Sequence, residues 1–209
     1  KMIKFLSLIF GKSIYNFLSI LIKLILKTKG IKVGKNFYIE GIPKLKLNGE
    51  KNLIEFGNNI QILGDIDIRT RENGSIFFED NVKIENNCRF VAAREGKILI
   101  GKNTCITTGS ILNGGADLII GENCIFGPRN IMNANEHKIN KDDNINNQGF
   151  IHAPILIGND CWTGANVVIA KGVEISDKSV IGANSFVNKN TEKCSINAGS
   201  PAKIIGYRK

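Results

Sequence analysis

Read in sixes from Ile157, the chain runs IGNDCW, TGANVV, IAKGVE, ISDKSV, IGANSF, VNKNTE. The first position is aliphatic at Ile157, Ile169, Ile175, Ile181 and Val187, with Thr163 the one departure. The fifth position is smaller: Cys161, Val167, Val173, Ser179, Ser185, Thr191. A looser pattern, apolar–Gly/Glu–x–Asn, starts upstream at Val33, Phe56, Phe78, Ile100 and Ile120. The successive starts through Ile157 lie 23, 22, 22, 20 and 37 residues apart. A period of six cannot keep one face of a helix apolar at 3.6 residues per turn. It suits a short strand followed by a turn, with alternate side chains pointing inward. Three such units close a coil of about eighteen residues, and stacked coils bury aliphatic columns that one coil alone could not bury. The expected fold is an all-β solenoid over residues 30–206.

The first 28 residues follow a different rhythm. At 100° per residue, Lys12, Asn16, Ser19, Lys23 and Lys27 fall within one arc of about 80°, opposite Ile14, Phe17, Leu18, Leu21, Leu24 and Ile25. This predicts an amphipathic α-helix over 1–29 that ends at Gly30. Such a helix can lie at a membrane interface with its lysines at the headgroups, or pack against protein. Spanning is disfavoured, because Lys12 and Lys23 leave only ten apolar-rich positions between them and a span needs about 20. Neither an unbroken apolar core nor a small-residue cleavage site marks a signal peptide.

Composition adds three constraints. There are 22 Gly and 4 Pro, which fits many tight turns, since Gly tolerates left-handed backbone angles. The net charge of +9 favours anionic partners, but no compact Lys/Arg block with interleaved aromatics points to nucleic acid. The five cysteines (Cys88, Cys105, Cys124, Cys161, Cys194) include no CxxC pair. They suggest neither a zinc site nor a disulfide framework, and fit reduced thiols in the cytoplasm.

The interval of 37 residues before Ile157 holds about seventeen residues more than a regular coil. The excess lies between Met132 and Ile155, an ejected polar loop at about 133–154. Long polar excursions from a regular scaffold often bind or catalyse. Both histidines of the chain, His137 and His152, lie in it. An imidazole with an ordinary pKa of about 6.5 suits a general base near neutral pH.

Three strings carry a resemblance. The hexads together with AGSPAKIIGYRK at the C-terminus resemble the hexapeptide-repeat transferases. That implies a left-handed parallel β-helix, usually trimeric, with active sites between subunits. Asn133-Ala-Asn-Glu-His137 resembles the segment that carries the catalytic base in xenobiotic and capsule O-acetyltransferases. By that likeness His137 deprotonates the acceptor hydroxyl, with Glu136, Asn135 or Asn133 as its supporting partner. IGNDCWTGANV is similar to a segment of the maltose, galactoside and xenobiotic enzymes, and the resemblance to the capsule enzymes implies that Trp162 lies beside the thioester and acceptor. The same resemblance assigns Ala165, Ala183, Asn188, Lys189, Lys203 and Arg208 to acetyl-CoA. Gly206 stands where the galactoside enzymes carry a second arginine, and Arg208 is its substitute. Asn113, Asn135 and His152 are the acceptor-side candidates, and residues 207–209 form a basic tail.

The implied activity is acetyl transfer from acetyl-CoA to a sugar hydroxyl of a bacterial surface polysaccharide or its precursor, without a metal. N-acetylation of a nucleotide-linked amino sugar, antibiotic acetylation and a non-catalytic scaffold are the alternatives. Hydration of carbon dioxide on the same scaffold needs three histidine ligands, and the chain has 2 His. The helix ahead of the solenoid suggests a cytoplasmic enzyme held at the inner face of the membrane.

Overall fold

The computed structural model describes residues 2–49 and 53–209. Lys1, which the helical pattern includes, lies outside the described residues. The chain forms a parallel β-solenoid of about seven turns. Two of its three walls are seven-stranded sheets and the third has nine strands. The spacing-derived starts are one continuous inward column of the first sheet: Val33, Phe56, Phe78, Ile100, Ile120, Ile157 and Ile175 are paired in register. The rings of Phe56 and Phe78 stack at 4.9 Å. The second sheet contributes Ile39, Ile62, Ile84, Ile106, Phe126, Thr163 and Ile181. The third contributes Ile68, Phe90, Leu112, Met132, Ile169 and Val187. Each buried Ile or Leu stabilises the stack by about 1.5–3 kcal/mol relative to an exposed one.

Thr163 breaks the aliphatic column for a reason the structure supplies. Asn130 is fully buried, and its Nδ2 donates to Thr163 Oγ1 at 2.8 Å and to the Gly127 carbonyl at 2.7 Å. Its Oδ1 accepts from the Val167 N–H at 2.8 Å. The asparagine and threonine satisfy each other inside an apolar wall.

Asparagine also builds the corner between the first and second sheets. Asn36, Asn59, Asn81, Asn103 and Asn123 all have φ between 52 and 61, the left-handed region that asparagine tolerates better than most residues. Each of the first four donates its side-chain N–H to the next carbonyl oxygen, at 2.8, 2.9, 2.9 and 3.0 Å. The ladder ties successive coils together at that corner.

The N-terminal segment is two helices, α1 (Met2–Phe10) and α2 (Lys12–Thr28). The break falls at Gly11, whose φ of 55 leaves the right-handed helical region. Tyr15 donates its hydroxyl to Ser7 Oγ at 3.0 Å, joining the helices. The face of α2 that meets the solenoid is Ser19, Ile22 and Leu26. Ser19 Oγ accepts the Ile39 N–H at 2.8 Å, and Lys23 donates to the Gly34 carbonyl. So part of the polar stripe turns inward. The first coil has no coil above it, and its open backbone groups take partners from the helix. Phe17, Ile20, Leu21, Leu24 and Ile25 are left exposed, Phe17 and Ile20 by 60% and 61%. No helix among the described residues is long and apolar enough to cross a membrane.

At the opposite end, Lys203–Tyr207 runs antiparallel to Ser195–Ala198. The last residues are tied back to the solenoid, since Tyr207 donates its hydroxyl to Glu192 at 2.7 Å.

Candidate active site

The chain leaves the third sheet after Ile131–Asn133 and forms the antiparallel strands Asn135–His137 and Phe150–His152, with α3 (Ile145–Gln148) at the tip. The pairs are Asn135 with His152, Glu136 with Ile151, and His137 with Phe150. Ala134 and Ala153 fasten the hairpin's base: the Ala134 N–H donates to Asn113 O at 2.9 Å, and the Ala153 N–H to Ala134 O at 3.1 Å.

The hairpin leaves from the corner between the third and first sheets, and most of the candidate residues gather there. Asn113 donates from Nδ2 to Asn133 Oδ1 at 3.0 Å, so these two amides form a pair on adjacent strands. His137 is exposed, with its ring centroid 4.1 Å from that of Phe150. Glu136 projects the other way and pairs with Lys171 at 3.0 Å. Adjacent strand residues point to opposite faces, so Glu136 fixes the hairpin against the next coil and does not touch the His137 ring. His152 is half-buried over Gly115, and its Nδ1 is buried without a hydrogen-bond partner. Asn188 and Lys189 occupy the same corner two coils further on and are exposed.

Three contributors to this site escaped the sequence reading. Phe150 is the lone aromatic in the loop, a signal that was available. Lys171 and Gly115 lie in ordinary hexad corners and carry no local mark.

The comparisons with known proteins bear on this geometry. The bacterial transferase hexapeptide (six repeats) family model matches residues 154–189. A probable macrolide acetyltransferase of Lysinibacillus sphaericus is 38% identical over 63% of this chain and 68% of its own length. The galactoside O-acetyltransferase of Escherichia coli is 29% identical over 85% of this chain and 87% of its own. Among solved structures, the polySia-specific acetyltransferase NeuO superposes with a TM-score of 0.57 at 28% identity, over 85% of this chain and 75% of that one. The chain belongs to the hexapeptide-repeat acetyltransferases.

The acetyltransferase carries its remaining candidates elsewhere on the triangle. Trp162 stands on the outer face of the second sheet, 54% exposed, between Ile125 and Val180. Within one chain that wall lies across the triangle from the His137 corner. Ala165 and Ala183 sit at the next corner, between the second and third sheets. Coils approach closely there: a Cβ on Gly127 would lie 2.6 Å from the Gly164 carbonyl carbon, and one on Gly164 would lie 2.6 Å from Ala183 N. Lys203 is exposed on the C-terminal strand. Arg208 is at a third place. It pairs with Asp160 at 3.1 Å and donates to the carbonyls of Asp160 and Lys178 at 3.0 and 3.3 Å. One of its terminal nitrogens thus extends the asparagine corner, and within one chain Arg208 does not lie beside Ala165 or Ala183.

Buried Cys88 is a packing residue, with burial pushing its thiol up to about 11. A protonated, enclosed thiol is a poor nucleophile.

Proposed function

We propose that this acetyltransferase moves an acetyl group from acetyl-CoA directly to a hydroxyl of a glycan, with His137 as general base. The observation that carries the reading is His137 itself. It is the exposed imidazole on the hairpin, backed by Phe150, and the hairpin springs from the strand that carries the Asn113–Asn133 amide pair. Its Nε2 or Nδ1 takes the hydroxyl proton as the oxygen attacks the thioester carbonyl carbon. The carbon–sulfur bond breaks, and the leaving sulfur takes the proton back from the imidazolium. No enzyme nucleophile is needed. The likeness to a galactoside O-acetyltransferase supports a sugar acceptor.

His137 and Trp162 lie on different sides of one chain. That supports a trimer in which the His137 corner of one subunit faces the Trp162 wall of the next. The gap between them would take the donor. There the short side chains of Ala165 and Ala183 keep the corner low for the pantetheine arm. Asn188, Lys189 and Lys203 are exposed polar groups for the remainder of the donor.

The N-terminal helices fit attachment to an anionic membrane surface. Residues 1–39 hold eight lysines and no carboxylate, and the outer face of α2 is apolar. Interfacial helices bind by that combination. Such attachment suits an acceptor assembled at the membrane.

The test is release of CoA thiol from acetyl-CoA with a panel of neutral glycans, amino-sugar nucleotides and macrolides. His137→Ala should lower kcat for the glycan by about 10²–10⁴-fold, the usual worth of a positioned general base. Undiminished turnover would remove His137 from the mechanism. Turnover of the amino sugar alone would replace O-transfer by N-transfer.

A further inference from the structure

Beyond the catalytic corner, the third sheet carries a feature that the chemistry above leaves unused. Its outer face is uncharged near His137 and strongly basic near the N-terminus. Register makes the two ends continuous: Lys46, Arg69, Val91, Asn113 and Asn133 are successive neighbours along one column. The adjacent column runs Lys44, Asp67, Arg89, Ile111, Ile131. Arg71 lies one step further along its strand from Arg69, on the same face. These outward positions hold five cations and one carboxylate.

The basic end is a cleft and not a convex surface. A cavity of roughly 790 Å³ is lined there by Lys44, Asp65, Asp67, Arg69, Arg89 and, from α2, Leu18. Arg69 grips Asp67 through Nε at 2.9 Å and a terminal nitrogen at 2.8 Å. Arg89 Nε is buried, makes no hydrogen bond, and lies 3.3 Å from Asp67. The hydrogen bonds from Arg69, with Arg89 and Lys44 beside it, hold the Asp67 carboxyl below the ordinary carboxylate range. Asp65, whose Oδ1 accepts the Ile42 N–H at 3.0 Å, and Asp67 offset two of the three cations that line the cleft, and Lys46 and Arg71 add two more cations beside it.

We propose that this cleft binds the phosphate or diphosphate that joins an acceptor glycan to lipid, with the glycan lying along the third sheet toward His137. The inference rests on the glycan reading above and narrows its substrate class. Three strand spacings separate Arg69 from Asn133, about 14 Å at about 4.8 Å per strand, a span for a short oligosaccharide. Arg69 commits its fork to Asp67, so the terminal nitrogens of Arg89, with Lys44, are the groups left to meet phosphate oxygens. Position selects phosphate over an acidic sugar: the cleft is walled by α2, whose far face is the exposed apolar one. An anion at the lipid end of the acceptor falls there, and sugar carboxylates would be spread along the whole track.

The test is calorimetric binding of three soluble probes to the full chain: farnesyl diphosphate, a hexuronate and neutral maltohexaose. Binding needs no turnover, so it separates this inference from the catalytic one. Farnesyl diphosphate should bind at least about tenfold tighter than either sugar, and weaken as salt rises. Lys44→Ala with Lys46→Ala, both exposed lysines, should weaken it about tenfold without lowering Tm. Equal or tighter binding of the hexuronate would overturn the phosphate assignment, as would farnesyl diphosphate affinity unchanged in the double variant. Specific diphosphate binding without acetyl transfer to any glycan would keep the cleft and refute the proposed activity.

Discussion

Gly115→Ala tests whether the hairpin geometry carries the chemistry. Gly115 is buried at the turn after Ile111–Gly114, and its φ is not in the left-handed region, so alanine brings no backbone strain. A Cβ there would lie 2.4 Å from His152 Nδ1, 2.8 Å from its Cε1 and 3.2 Å from Asn135 Nδ2. Ordinary contact starts near 3.4 Å, so the imidazole must retreat by about 1 Å. His152 and Asn135 are paired across the hairpin. Moving one drags the ladder that also holds His137 opposite Phe150. A 1 Å misplacement of a reacting group can cost about 10²-fold, and kcat/KM for the acceptor should fall by about that factor. The KM for acetyl-CoA should change less, because Ala165 and Ala183 lie at another corner and Asn188 and Lys189 lie two coils beyond the hairpin. Stability should change by less than about 1 kcal/mol, as the displaced ring is only half-buried. Steady-state kinetics with thiol detection, alongside urea unfolding, measures both. The double variant Gly115→Ala/His152→Ala removes the clash and should match His152→Ala alone, a non-additive pair. Gly115→Ala with kcat/KM within twofold of the parent would refute the coupling of His152 to the site. So would strictly additive losses.

Other outcomes follow from the scaffold and the N-terminal helices. Asn81→Ala loses two ladder bonds and keeps a left-handed φ of 61, so it should cost about 2–3 kcal/mol in urea unfolding. Asn81→Gly loses the same bonds without the strain, and should be the milder change. Asp67→Asn should destabilise at neutral pH. Because the folded carboxyl is held below its ordinary range, the deficit is present above the unfolded pKa and closes only as pH falls through the lower folded value. Thermal unfolding across pH 2–7 checks the sign. Leu21→Ser with Leu24→Ser should abolish flotation with anionic liposomes and leave Tm unchanged, because both side chains are exposed.

The columns of the solenoid were legible because a hexad has one inward position, and Val33, Phe56, Phe78, Ile100, Ile120 and Ile157 all occupy it. The intervals among them are coil lengths, the last with the ejected hairpin added. Where the period held, prediction of burial amounted to counting. Thr163 resisted counting. Its partner Asn130 is 33 residues away along the chain, and nothing local in either residue announces the pair. The N-terminal helix was legible as amphipathic but not as oriented. Moment arguments put lysines toward water, whereas the open backbone of the first coil draws Ser19 and Lys23 inward. Arg208 shows the same limit at the other end. A basic residue in a family-like tail suggested a phosphate ligand, and nothing in that tail announced that it also reaches Asp160 and two carbonyls at a distant corner.

The site was legible as a failure of the period, and its parts only as a list. What joins them is vertical stacking: Gly115, the hairpin, Lys171 and Asn188 belong to four successive coils yet share one corner. Sequence separation within that stack is set by coil length and loop insertions, so no fixed motif spacing can encode it. The same stacking means each coil presents its outer face in line with its neighbours. A chemical gradient along one wall, basic beside α2 and amide-lined beside His137, therefore becomes a continuous track as soon as the coils stack. On a solenoid, the order of substitutions along the repeat is itself the order of subsites along an extended ligand.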